Sequence, residues 1–213
     1  MESQVRGGTR WKRFAVVMVP SVAATAAIGV ALAQGALAAS FSVSGQSFKV
    51  TADRLDGTGF SQYGAIDQGY TLKGEKVARP VAVSAFTKAT ITNMCQSVVT
   101  PDIPLVGTVS LKLTAGTDGK KVEADNLYID VEELSGDAVF EDINIGVAAG
   151  DLKDGPGPGM KGGKEQSNPF GFGQQSRVAT LTGVKQTAWA TTAGTFKLSN
   201  LKMSLHKGAN ECY

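Results

Sequence analysis

The sequence is poor in the side chains from which most catalytic and metal centres are built. Its 213 residues hold one histidine, His206, and two cysteines, Cys95 and Cys212. A single imidazole with no neighbouring thiol excludes the usual zinc clusters. Any Ser–His chemistry would have to run through His206. No window carries a sustained apolar i, i+3, i+4, i+7 stripe of helical length, so a helical bundle is excluded as well. Positive charge is scarce once the first 38 residues are set aside. The chain has 21 Lys+Arg and 19 Asp+Glu, and residues 1–38 hold four of the former and one of the latter. That leaves 17 basic against 18 acidic, a net charge of −1 with nothing to attract a phosphate backbone, so nucleic acid is not an expected partner.

What is present begins with the leader. Arg6, Arg10, Lys12 and Arg13 form a basic head, Phe14 to Ala33 carries no charge, and Ala36-Leu37-Ala38 offers small residues at the two positions a signal peptidase reads. This is the layout of a secretory signal, so residues 1–38 are expected to direct export and be removed. The uncharged run is also about the roughly 20 residues that span a bilayer, which keeps an uncleaved anchor as the alternative. Arg10 and Arg13 are not adjacent, so the general secretory route is expected, with delivery to the cell envelope or the medium. Outside the cytoplasm an even cysteine pair is expected to be bridged, Cys95 to Cys212.

Residues 39–213 read as one β-rich domain. Phe48 to Ala52, Val109 to Thr114 and Val122 to Val131 alternate with the period of a strand, and Gly116 to Gly119 reads as a hairpin turn. The expected fold is all-β, an antiparallel sandwich or a curved barrel-like sheet, with a β-solenoid-like stack as the alternative. A faint repeat recurs at Val50–Leu55, Val122–Leu127, Val139–Ile145 and Phe196–Met203, where apolar residues flank a short polar pair. The alternation then resumes in shifted phase, as a bulge would make it do. Residues 150–177, rich in Gly, Pro, Lys and Gln, are expected to form a flexible loop. Phe170 and Phe172 in that tract are candidate contacts for an apolar ligand or lipid surface.

Motifs with chemistry are thin. Gly45-Gln-Ser47 opens like a nucleophile elbow but lacks the closing glycine, and in Gly59-Phe-Ser61-Gln-Tyr-Gly64 the second glycine comes one residue late. Ser61 and Ser47 are the candidate nucleophiles, with His206 as the base. Leu201, Met203 and Leu205 share one face of a strand, which places His206 on the other, expected to face solvent. Gly157 to Lys164 has no phosphate-loop register, and the acidic residues from Glu132 to Asp142 lack Ca²⁺-loop spacing, so no metal and no cofactor are expected.

The leader-plus-β layout, the GTGFSQYG stretch at 57–64, the two cysteines and the LSNLKMSLHKG ending at 198–208 resemble a family of small secreted actinobacterial proteins. Some of its members are named cholesterol esterase. The resemblance implies a sterol-ester hydrolase and supplies no catalytic positions. The residues themselves favour a non-enzymatic exported protein that binds an apolar ligand or lipid surface, with a membrane protein as a further candidate partner.

Overall fold

The computed structural model describes Met18, residues 44–158 and residues 166–213; the rest of the expected leader, with its expected cleavage site, lies outside the described residues. Ten strands follow in chain order: β1 (Phe48–Tyr70), β2 (Lys76–Thr92), β3 (Met94–Ile103), β4 (Gly107–Ala115), β5 (Val122–Glu141), β6 (Asn144–Ala148), β7 (Gln166–Ser167), β8 (Phe172–Thr192), β9 (Thr195–Lys197) and β10 (Lys202–Lys207). The long strands β1, β2, β5 and β8 are joined by antiparallel pairings, and β8 returns to β1, so the sheet closes into a small barrel. Of the expected architectures, the barrel is the one realised. Neither two stacked sheets nor a solenoid describes a sheet whose last long strand pairs with its first.

Closure is steeply staggered. Gly64 lies opposite Ala82, Ala82 opposite Val131, Val131 opposite Ala188, and Ala188 opposite Phe48. One circuit therefore returns to β1 at residue 48 instead of 64, sixteen residues away. Such a stagger demands strongly tilted strands, and it is why four strands need such length to close.

The faint repeat marks a real feature with a different geometry from a bulge. β2 and β3 run in a single register along β1, with Asn93, opposite Asp53, between them. On the other side of β1, the same row meets Gly183 of β8, and β4 and β10 extend it through Gly116 and Asn200. Gly183, Asn93, Gly116 and Asn200 all take left-handed backbone, φ 58°, 52°, 77° and 55°. Glycine and asparagine adopt that conformation at least cost. The kink thus crosses five strands in one line, with the Asn93 side-chain amide donating to Asp53 at 2.6 Å. Because neighbouring strands flip together, the inward set changes phase while the register is kept. A second row crosses Gly59, Thr87 and Asn126 in the same way. The repeat unit at 139–145 is instead a strand end, with Asp142 at the turn, and that at 196–203 meets the first row at Asn200, in the turn before β10.

Apolar burial has two layers. Inside the barrel, Leu55, Phe60, Phe86, Leu127, Ile129, Leu181 and Val184 form the main core. On the outer face of the same wall, Tyr63, Val81, Val83, Ala85 and Tyr128 form a second cluster, joined by Ala149, Leu152 and Trp189. The Arg79 guanidinium stacks on Trp189, 3.6 Å from the ring centre. Beside the barrel, β3, β4 and β10 make an arm. The Cys95–Cys212 disulfide fastens the C-terminal tail to it. The Cys212 amide donates to Ser97 Oγ and the Asn210 amide to Ser110 Oγ, so the tail lies over the face that carries the polar side chains. This reverses the expectation for β10. His206 is half-buried, while Met203 and Leu205 are 62% and 72% exposed.

Candidate functional site

The barrel interior encloses a cavity of about 170 Å³ to which all four long strands contribute. Leu55 and Phe60 of β1, Phe86 of β2, Ile129, Leu134 and Phe140 of β5, and Leu181 and Val184 of β8 make it apolar. Three rings form a line along it, with Phe60 5.2 Å from Phe86 and 5.3 Å from Phe140 between centres.

The way in is set by register. Pairing of β5 with β2 stops at Val131, although β5 runs on to Glu141 against β8 alone. Irregular pairing between Asp130 and Asp137 carries it off, and the lining residues Leu134, Gly136, Ala138 and Phe140 lie beyond the departure. A slot is left between the two strands. Pro80 sits on the β2 edge that has lost its partner, where a missing N–H costs no ladder bond.

Polar groups in the lining are neutral. Gln174 Nε2 donates to Gln62 Oε1 at 2.6 Å, and Gln62 Nε2 donates to Ser84 Oγ at 2.9 Å, a chain that ties β8 to β1 to β2 across the interior. Gln186 is the fourth polar contributor. Among the described residues no Asp, Glu, Lys, Arg or His lines the cavity. The site can bind by burial and hydrogen bonding, and it carries no side chain suited to proton transfer at neutral pH. Among the described residues no group of three or more His, Cys, Asp or Glu is placed to hold a metal.

The candidate nucleophiles and base are not brought together. Ser61 is fully buried on the outer face of β1, and its hydroxyl donates to the Pro156 carbonyl. Ser47 is half-buried just before β1. His206 lies three strands away from β1, on the arm, with Nε2 2.9 Å from Ser204 Oγ. The arm meets β1 only at Lys49–Thr51, ten residues along the strand from Ser61.

The expected loop at 150–177 divides into parts. Residues 172–177 open β8, Gln166–Ser167 is β7, and 159–165 lie outside the described residues. Residues 152–157 are held against the barrel wall. The Lys153 and Asp154 amides both donate to Gln175 Oε1, at 2.6 and 3.1 Å. Gly155 lies so close to β1 that a Cβ there would meet the Phe60 carbonyl carbon at 2.7 Å and the Ser61 nitrogen at 2.8 Å. The Gly-Pro composition that suggested a loop serves here to let backbone dock on backbone. Phe170 and Phe172 are 89% and 62% exposed, and Phe172 starts the strand that brings Gln174 into the cavity.

A family described as a family of unknown function (DUF6230) matches residues 44–213, which is the whole barrel, arm and tail. The chain belongs to that family. No curated protein and no solved structure matches it. Within this DUF6230 chain, the cavity residues Gln62, Gln174 and Gln186 escaped the sequence reading. For Gln186 the signal was a polar side chain whose neighbours two residues away, Val184 and Ala188, are core; Gln62 and Gln174 have no such flanking pair.

Proposed function

We propose that this protein is exported and binds an apolar ligand in its barrel without acting on it chemically. The cavity carries this reading: an apolar space reached through a slot, with neutral hydrogen-bonding groups and no titratable side chain in its wall. The leader's layout and the Cys95–Cys212 bridge support a site of action outside the cytoplasm. The exposed Phe170 and Phe172 suit contact with a lipid surface from which such a ligand is drawn. The likeness to secreted sterol-ester hydrolases would instead make the protein an esterase. Against it stand the separation of Ser61 from His206 and the Ser61 hydroxyl already engaged by Pro156.

A ligand that binds only the folded state raises its melting temperature. Saturating cyclohexane should therefore stabilise the protein, and Ala138→Trp, which fills the slot, should abolish the effect. Absence of any shift would overturn the reading. So would turnover of p-nitrophenyl butyrate by the purified protein that is lost in His206→Ala.

A further inference from the structure

Gln186 offers the cavity a hydrogen-bonding group that none of the described residues uses. It is 7% exposed, on β8 opposite Val50 and Leu134, and it lines the cavity. Its side-chain amide hydrogen-bonds to none of the described residues. The other polar groups of the wall do have partners, since Gln174, Gln62 and Ser84 satisfy one another. Its amide atoms are not among the sealed polar atoms of the interior, so they face the accessible space of the cavity, where a ligand's polar group can reach them. We propose that the cavity selects a small uncharged ligand, one ring or a short chain bearing a hydroxyl, amide or ester, whose polar group bonds to Gln186. This rests on the reading of the barrel as an apolar-ligand site and narrows it.

Two observations set the limits of the class. The first is charge. A carboxylate entering this wall would lose its hydration and meet no cation, whereas a neutral donor or acceptor finds an amide that offers both kinds of bond. The cavity therefore discriminates against ionised fatty acids and in favour of their alcohols, amides and esters. The second is size. An engineered apolar cavity of about 150 Å³ holds one benzene. At about 170 Å³ this barrel takes a single ring or a short acyl segment, and the four fused rings of a sterol do not fit inside. A larger lipid can place only one end there, with the remainder emerging through the slot between β2 and β5.

Cyclohexanol, cyclohexane and cyclohexanecarboxylate share a ring and differ in the group that would reach Gln186. Titrating each into the purified protein at pH 7.5, with ¹H–¹⁵N spectra of the side-chain amides, separates the terms. Cyclohexanol should bind and shift the Gln186 amide resonances. The carboxylate should bind at least about tenfold more weakly. Gln186→Met, of similar length and apolar, should weaken cyclohexanol by about tenfold relative to cyclohexane. Equal affinity for alcohol and carboxylate, or an unshifted Gln186 amide in the wild-type complex, overturns the selectivity while leaving apolar binding intact. If none of the three binds, the ligand-site reading itself falls.

Discussion

Gly57 offers the sharpest test of the barrel interior. It is buried on β1, and a Cβ built there would overlap Phe86 Cδ1 and lie 2.6 Å from Cε1, where ordinary contacts begin near 3.4 Å. Phe86 is 2% exposed and stacked against Phe60, which is itself held by Phe140. Phe86 lines the cavity, so the ring retreats into that space. Gly57→Ala should therefore destabilise the protein by about 1–3 kcal/mol, the usual cost of overpacking a close-fitted core. For a domain of this size each kcal/mol moves the midpoint by about 2–4 °C, so thermal unfolding should fall by roughly 2–12 °C. Ligand binding should be lost with it, because the displaced ring occupies the site. A double-mutant cycle with Phe86→Leu separates this from a generic backbone effect. The smaller side chain should recover at least about 1 kcal/mol in the Gly57→Ala background relative to additivity. A Gly57→Ala midpoint within 1 °C of wild type, by the roughly 2–4 °C rule, or strict additivity in the cycle, would refute the packing argument.

Three further outcomes follow from other parts of the molecule. Phe170→Ala with Phe172→Ala should reduce cosedimentation with liposomes and leave the melting temperature nearly unchanged, since both rings are exposed and each contributes about 1.5–3 kcal/mol only when buried in a partner; a large loss of stability with unchanged liposome binding would assign them to the core. Cys95→Ser with Cys212→Ser removes a crosslink spanning 117 residues, worth up to about 4–5 kcal/mol in the chain-entropy picture, and hydrogen exchange should rise first in β3 and β4 beneath the freed tail. Asp56 is held below the usual carboxylate range by its hydrogen bonds to Arg54, helped by Arg54's charge, Thr180 and Lys121 and opposed by partial burial. Its folded-state value being depressed, its contribution is complete above about pH 4, the unfolded value, and fades as pH falls through the folded one. Asp56→Asn should therefore flatten the stability profile below about pH 4 and nowhere else.

Much of the secondary structure was legible because strand alternation is local. Phe48–Ala52, Val109–Thr114 and Val122–Val131 alternate in sequence with no help from distant residues, and they lie in β1, β4 and β5. The cysteine pair was legible by count. The repeat at Val50–Leu55 and Val122–Leu127 was visible too, but its meaning was not. One strand with a shifted phase looks the same whether it holds an extra residue or its neighbours flip with it. Only the pairing of Asp53 with Asn93 and Gly183 distinguishes the two. The same limit applied at β10. A strand with Leu on one face and Lys, Ser and His on the other has a definite amphipathic pattern, yet which face is covered was decided by a tail fixed through Cys212.

Composition and periodicity determined that this chain is strand-built, that its histidine chemistry is limited to one residue, and that its two thiols pair. They act through neighbours in sequence, and a strand's intrinsic preference extends no further than its own alternation. Tertiary structure alone decided that the sheet closes, that Ser61 points outward to Pro156 while Gln62 points inward, and that Gln186 stands unpartnered in the cavity wall. Those outcomes depend on a sixteen-residue stagger around the barrel, and a stagger is a relation between strands that no single strand encodes.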